Sequence, residues 1–367
     1  MKVMLVLGAR PQIIKSAPLI HEISKDSEIE LQIVHTGQHY DYEMSKAFFD
    51  ELALPSPLIN LEVGSGSHGW QTGKMLMGME KVILKWKPKV IIVPGDTNST
   101  LAGALAAVKL HVPVAHLEAG ARSYDIRMPE EVNRRLTDHC ARLLFATTEN
   151  CVQNLSKEGV SKDHICLSGD TMYDALVQHL PRALKKDVLK KFNLEEETYG
   201  VLTLHRPENV DQLRKLENTL RTIMKIEDLI IFFPVHPRTK KMLGTAGLLK
   251  SLRKAKNLRF VDPVRYHSML VLIKNAKIAF TDSGGVQKEA FWLHTPCVTL
   301  REATEWTETV ELGANTLAKE QEAIIPKARE FLACTNLKET LQKLPNPFGD
   351  GRASEKIVSS LKRFAAT

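Results

Sequence analysis

The sequence predicts an α/β protein built from two doubly wound, Rossmann-like domains facing each other across a cleft. Three observations predict it. Short apolar runs rich in Val and Ile alternate with helical patterns, most of them ending in Gly, Asp, Thr or Ser, the residues of turns and helix caps. The pattern restarts after a charged segment near 182–198, and two βαβ series imply two parallel sheets. The length, 367 residues, suits two domains better than one core.

In the first half, strands are expected at KVMLVLG (2–8), LQIVHTG (31–37), VIIVPGD (90–96), PVAHLEA (113–119), RLLFATT (142–148) and ICLSGD (165–170). Runs without polar alternation read as strands covered on both faces. PQIIKSAPLIHEISK (11–25) and SKAFFDEL (45–52) carry helical periodicity between them. In the second half, strands are expected at GVLTLH (200–205), LIIFFPVH (229–236), LRFVDP (258–263), IAFTDS (278–283) and CVTL (297–300). RALKKDVLKK (182–191) reads as one solvated amphipathic helix. The break near Gly169–Leu180 gives an N-terminal domain over 1–170 and a C-terminal domain over 171–349. The last segment, 350–367, is an amphipathic helix expected to pack back across the junction.

Composition narrows the function classes. The chain is 43% hydrophobic and 25% charged, with no low-complexity run, as globular proteins are. Its net charge of +7 is spread along the chain rather than gathered in a stripe, which argues against a nucleic-acid partner and favours a small anionic substrate. The five cysteines lack metal-ligand spacing and lie among apolar neighbours, so buried thiols in a reducing compartment, the cytoplasm, are expected. MKVMLVLGARP reads as a first strand rather than a signal peptide. No apolar stretch reaches the ~18 residues of a membrane helix, so no membrane insertion is expected.

Ligands of open parallel sheets bind at the carboxyl ends of the strands, and five motifs fall there. In GARPQIIKSAPL (8–19), Arg10 and Lys15 sit at and inside a helix N-terminus with Pro11 at its first position, a place favourable to anions. The plain alternative is a strand–helix turn with exposed cations. In PGDTNST (94–100), Asp96 follows an apolar strand and would otherwise serve as a helix cap. In HLEAGARSYDIRMPEEVNRR (116–135), Glu118 ends a strand, where a carboxylate is costly if buried unpaired. Glu130 and Glu131 open a helix and stand four residues before Arg134 and Arg135, so two surface ion pairs would explain that half. His205 in LTLHRPENV and His236 in FFPVHPRT both stand at strand ends, which a shared cleft explains better than two separate structural roles. In TDSGGVQKEAFWLHTP (281–296), the N–H groups of Ser283, Gly284 and Gly285 can form a nest for phosphate, with Glu289 further along the helix for a ribose diol. No Walker A, HExxH, GxSxG or metal-ligand pattern appears.

Taken in order, GARPQIIKSAPL, HTGQHYD, PGDTNST, HLEAGARS, PEEVNRR, LHRPEN, PVHP, TDSGGVQKEA and NPFGDGRAS resemble the motifs of the non-hydrolysing UDP-N-acetylglucosamine 2-epimerases, which have the two-domain glycosyltransferase-B fold. The resemblance runs through nearly the whole chain. It implies that Asp96, Glu118 and Glu130 are essential carboxylates and that His205 acts beside the diphosphate. It implies ligand contacts for Arg10, Lys15, His236, Arg301 and Glu289, phosphate contacts for Ser283–Gly285, and uracil contacts in PVRYHSM (263–269), including Val264 and Met269. Gln38, His39, Gln71 and Arg134 are candidates for a regulatory substrate pocket or for support behind the reacting groups. Two departures stand out. The bacterial T-E-R-P-E is TEWTE here, placing Trp306 where an Arg stands, and the bacterial Q-H-x-Q is QHYD, keeping Gln38 and placing Asp41 at the second Gln. The implied activity is reversible epimerisation at C2 between UDP-GlcNAc and UDP-ManNAc, by a homodimer, with no cofactor or metal. A hydrolysing 2-epimerase and a UDP-sugar glycosyltransferase share the fold and remain the alternatives, with a non-catalytic UDP-sugar sensor behind them.

Overall fold

The computed structural model describes the chain except residues 39–41, 58, 246, 248–251, 253–254 and 367, and describes residues 42–46 by backbone alone. It divides into two compact units, Met1–Gln178 with Asn346–Thr367, and His179–Pro345.

The first unit holds a parallel sheet of β1 (Lys2–Leu7), β2 (Glu30–His35), β3 (Ile59–Asn60), β4 (Val90–Pro94), β5 (Val114–Ala119), β6 (Leu143–Ala146) and β7 (Ile165–Leu167), in the order β3-β2-β1-β4-β5-β6-β7. β4 and β5 are buried along their whole length; in β4 the sequence accordingly shows no polar alternation, while β5 buries His116 and Glu118 with polar partners. Helix Asn98–Lys109 lies close on the sheet through Gly103, where a Cβ would stand 3.1 Å from Val93 and 3.3 Å from Val6. The order reverses between β1 and β4, so the carboxyl ends of these neighbours flank a topological switch point.

The second unit repeats the plan with β8 (Tyr199–Thr203), β9 (Ile230–Pro234), β10 (Leu258–Val261), β11 (Ile278–Thr281), β12 (Cys297–Thr299) and β13 (Asn315–Leu317), in the order β10-β9-β8-β11-β12-β13, all parallel. Its core gathers Leu202, Phe233, Phe280 and Val298 from the strands and Leu216, Leu220 and Ile223 from a covering helix. Its switch point lies between β8 and β11. The fold class is therefore the expected one, two doubly wound parallel-sheet units.

Several elements differ from the sequence reading. β3 and β13 were not expected; both are edge strands of two or three residues, too short to show a period. Residues 182–191 do not form one helix. Helix Thr171–Ala183 ends there and a short helix, Val188–Lys191, follows, because Ala183 and Val188 are both buried and only a turn lets both point inward. Helix Arg10–Ile23 begins one residue before Pro11, which takes the second position. The units divide at 178/179 and 345/346, where 170/171 and 349/350 were expected. The Asp170 N–H donates to the Phe348 carbonyl (2.8 Å), and the Asp174 carboxylate accepts the N–H groups of Ala353 (3.1 Å) and Ser354 (2.7 Å). These bonds bind the start of helix Thr171–Ala183 and the returning terminus into one unit. Helix Ala353–Ala366 packs on helix Arg10–Ile23 in that unit.

Candidate active site

In the first unit, the switch point is organised by Gln12. Its Oε1 accepts the N–H groups of Gly8 (2.8 Å) and Ala9 (3.0 Å), and its Nε2 donates to the Pro94 carbonyl (2.8 Å) and Thr100 Oγ1 (3.0 Å). One buried amide thus joins the turn after β1 to the turn after β4. Arg10 opens the helix there, with its guanidinium 5.1 Å from the Phe48 ring centroid. Lys15, one turn on, is buried and pairs with Glu118 at 2.6 Å.

Asp96 is not a helix cap. Thr97 takes that role, accepting from the Thr100 N–H at 3.4 Å, and the Asp96 carboxylate instead pairs with Arg134 Nη2 at 2.6 Å. Glu118 lies at an irregularity in the β5–β6 register and has φ +66°. A non-glycine residue there costs about 1–3 kcal/mol and persists only where its surroundings fix it. Two cation-paired carboxylates therefore stand at the carboxyl ends of adjacent strands, β4 and β5.

Of the two pairs expected along 129–140, Glu131–Arg135 forms at 3.2 Å, while the other is replaced. Arg134 does not take Glu130; it turns to Asp96 and to Glu131 Oε2 (3.2 Å). Glu131 is fully buried and also accepts Ser123 N–H (2.8 Å), Ser123 Oγ (2.9 Å) and Arg135 Nε (3.2 Å), so it anchors the 120s loop to the helix instead of bracing a surface. Glu130 stays partly exposed at the helix start. Asp125 and Arg127 form an exposed pair at 2.8 Å.

Beneath the acids lies a network that sequence reasoning missed. His116 Nδ1 is 2.6 Å from Asp138 Oδ1, and His116 Nε2 is 2.7 Å from the Gly95 carbonyl. Asp138 Oδ2 also accepts the Gly120 N–H (3.1 Å) and pairs with Arg122 (2.7 Å), which reaches on to Glu158. Burial works to raise the Asp138 carboxyl, but His116 and Arg122 outweigh it and hold it below the usual carboxylate range. Its only sequence signal was a His and an Asp at apolar strand and helix positions.

Gln38 and Gln71 lie beside this edge. Gln38 Oε1 accepts from Ser99 Oγ (2.6 Å) and Ser99 N–H (3.1 Å), while Gln71 donates to the Gln38 (3.0 Å) and Gly64 (2.7 Å) carbonyls and accepts from Asn98 (2.8 Å). His39 and Asp41 lie outside the described residues.

In the second unit, β8 and β11 bring His205 and Asp282 together: Nδ1 and Oδ1 are 3.0 Å apart. Asp282 is fully buried and accepts the N–H groups of His205 (3.1 Å) and Arg206 (3.0 Å) and the Asn209 amide (3.2 Å). Burial tends to raise it, yet His205 and these donors hold it below the usual carboxylate range. His205 is 40% exposed, with the His236 ring centroid 5.7 Å from its own. Helix Gly284–Trp292 starts at the same edge. Ser283 caps it by accepting the Val286 N–H (3.4 Å), and the Ser283 N–H is taken by Thr281 Oγ1 (2.9 Å), so the donors that this helix start can offer begin at Gly284. A Cβ at Gly284 would collide with the Glu305 carboxylate, which pairs with Arg301 at 2.9 Å and lies 3.8 Å from Arg206. Glu289 is buried further along this helix. Val264, in the loop after β10, and Met269, in helix Tyr266–Lys274, are both partly buried. Trp306 is buried, with Lys288 Nζ 3.9 Å from its ring centroid. Asp282 and Glu305, behind the histidine and the arginines, were missed, although Asp282 stands inside the motif that drew attention to Ser283.

Fold and side chains together define a two-unit Rossmann-like protein, with acids at the switch-point edge of one sheet and a histidine–aspartate pair beside a glycine-started helix at the edge of the other. Comparison gives the family within that class. The UDP-N-acetylglucosamine 2-epimerase family model matches residues 21–362. A UDP-N-acetylglucosamine 2-epimerase of Methanocaldococcus jannaschii is 47% identical over 98% of this chain and 99% of its own. A UDP-2,3-diacetamido-2,3-dideoxy-D-glucuronate 2-epimerase of Pseudomonas aeruginosa is 41% identical over 99% of this chain and 100% of its own. The crystal structure of the M. jannaschii UDP-GlcNAc 2-epimerase in complex with UDP-GlcNAc and UDP matches with a TM-score of 0.93 at 47% identity, covering 99% of this chain and 100% of that one. The chain belongs to the UDP-N-acetylglucosamine 2-epimerase family.

Proposed function

We propose that the protein interconverts UDP-GlcNAc and UDP-ManNAc by non-hydrolytic epimerisation at C2. The observation that carries this reading is the pair of cation-held carboxylates, Asp96 and Glu118, at the ends of adjacent strands. C2 of the sugar is not beside a carbonyl, so its proton is not acidic and simple proton exchange faces a prohibitive barrier. The route open to this chain is anti elimination. A carboxylate takes the C2 proton, the C–H electrons form the C1=C2 bond, and the C1–O pair leaves with UDP. UDP and the 2-acetamidoglucal stay bound. A proton then adds to C2 from the opposite face as the diphosphate oxygen returns to C1, which gives the epimer.

Such a path needs acid–base groups on both faces of C2; Asp96, Glu118 and Glu130 are proposed for it, with the face of each left open. It also needs charge stabilisation for the departing diphosphate. His205, held through Nδ1 by Asp282, the N–H groups at Gly284 and Gly285, and Arg10 and Lys15 are proposed for this, with Arg301 and His236 beside them. Glu289 is proposed to hold the ribose, and Val264 and Met269 the uracil. Gln38, Gln71 and Arg134 are assigned to support behind the reacting groups, on the bonds they make to Ser99, Asn98 and Asp96. The proposal includes a cytoplasmic homodimer supplying ManNAc-type sugars for surface polysaccharide or glycoprotein glycans. An exposed apolar row, Trp70, Met77 and Leu84, on helix His68–Trp86 supports a dimer. Among the described residues no helix is long and apolar enough to cross a membrane.

A second reading keeps the bond chemistry and changes the sugar. The 41% identity to a UDP-2,3-diacetamido-2,3-dideoxy-D-glucuronate 2-epimerase favours it. Incubation with each UDP-sugar, followed by phosphorus NMR and chromatography of the products, separates the cases. The proposal expects UDP-ManNAc to accumulate from UDP-GlcNAc without stoichiometric free UDP. Free UDP with ManNAc would instead identify a hydrolysing enzyme, and turnover of the diacetamido sugar alone would give the second reading.

A further inference from the structure

The acids of the first unit stand on two turns, Gly95–Asp96 after β4 and Glu118–Gly120 at the end of β5, and one buried pair grips both. The Gly95 N–H donates to the Leu117 carbonyl (3.0 Å), and the Gly95 carbonyl lies 2.7 Å from His116 Nε2. The same ring meets Asp138 at 2.6 Å through Nδ1, and Asp138 accepts the Gly120 N–H at 3.1 Å. A single carboxylate thus reaches the residue before Asp96 through the imidazole and the second residue after Glu118 directly. Arg122, itself held by Glu158, fixes that carboxylate from the other side. None of the three side chains His116, Asp138 and Arg122 is accessible to solvent. Burying such charges is poor value for stability alone, since apolar residues of similar volume often hold a fold as well. What the polar pair adds is position. It sets a carbonyl on one turn and an amide on the other, and it supplies part of the surroundings that keep Glu118 at φ +66°.

We propose that His116 and Asp138 are positioning residues for the epimerisation: a buried pair that holds the β4 and β5 turns so that Asp96 and Glu118 meet C2 of the sugar together. This rests on the epimerase reading. The pair touches neither substrate nor the reacting carbons. Its loss should therefore slow proton transfer while leaving nucleotide binding in place, because catalytic geometry is far less tolerant of small displacement than binding is.

The test measures kcat and KM for UDP-GlcNAc, and Kd for UDP, in wild type, Asp138→Asn, His116→Leu and His116→Gln. An Asn at 138 can keep the Gly120 N–H on its Oδ1 only by turning its NH2 toward His116 Nδ1, so the ring there must accept instead of meeting a carboxylate, and the negative charge that holds Arg122 is lost. A Leu at 116 gives the Gly95 carbonyl no donor, whereas a Gln side chain carries an amide that can supply one. The expected result is a kcat lowered about 30- to 100-fold in Asp138→Asn and His116→Leu, with KM and the UDP Kd within about threefold of wild type. His116→Gln should recover part of the lost kcat. Three outcomes would overturn the proposal: kcat within twofold of wild type in a folded Asp138→Asn, a loss confined to KM and UDP affinity, or unfolding of all three variants, which would make the pair a folding element. A wild type without turnover would instead defeat the epimerase reading itself, so the two failures are distinguishable.

Discussion

Glu118 shows how a single residue departs from local rules where chemistry is proposed. A strand-end carboxylate is unfavourable by burial, and its left-handed backbone is unfavourable by sterics. Lys15 answers the first and the bulged register of β5 accommodates the second. The carboxylate was legible in the sequence because nothing in core packing calls for one there. Its partner was not, because Lys15 is 103 residues away and reads as a ligand-facing cation at a helix start. Asp282 was hidden for a related reason: in a strand–turn–helix motif an Asp looks like a cap, while here Ser283 caps and Asp282 turns back to His205. The depressed Asp282 carboxyl makes a prediction about acid. A carboxylate whose folded value lies below its unfolded value of about 3.9 adds stability that is complete above that value and is lost as pH falls through the folded one. The thermal midpoint of Asp282→Asn should therefore fall less than that of wild type between about pH 5 and about pH 3. Parallel slopes in that window would show that Asp282 adds no pH-dependent stability.

At the scale of elements, the long strands were legible and the edges were not. β4 is a continuous apolar run, and β1 is one after Lys2, because both faces are covered, and that is visible without a structure. β3 and β13 carry too few residues for a pattern and exist because a neighbouring strand offers hydrogen bonds. The turn that ends β5 makes a sharper demand. Gly120 has φ +80°, and a Cβ there would collide with the Cys151 carbonyl in helix Glu149–Lys157. Gly120→Ala should therefore lose roughly 2–4 kcal/mol in urea denaturation, from backbone strain and overpacking together. A change below about 0.5 kcal/mol, the range of an ordinary surface substitution, would mean that the turn relaxes freely.

At the scale of the whole molecule, the restart of the βαβ pattern announced two sheets, and both have the doubly wound order that places ligand sites at a switch point. The domain limits were less visible. Residues 346–367 join the first unit through bonds from the Asp170 N–H to the Phe348 carbonyl and from the Ala353 and Ser354 N–H groups to the Asp174 carboxylate, which no composition shift marks. The division of labour proposed above follows the units, with acids on the first and groups suited to a diphosphate on the second. That division is meaningful only if the chain moves a proton at C2. The direct measurement is incubation of the purified protein with UDP-GlcNAc in D2O, with C2 followed by proton NMR. The account predicts loss of the H2 signal through deuterium uptake in both UDP-GlcNAc and UDP-ManNAc, and abolition of that uptake in Glu118→Gln. Retention of the C2 proton in wild type, or the same uptake in Glu118→Gln, would contradict it.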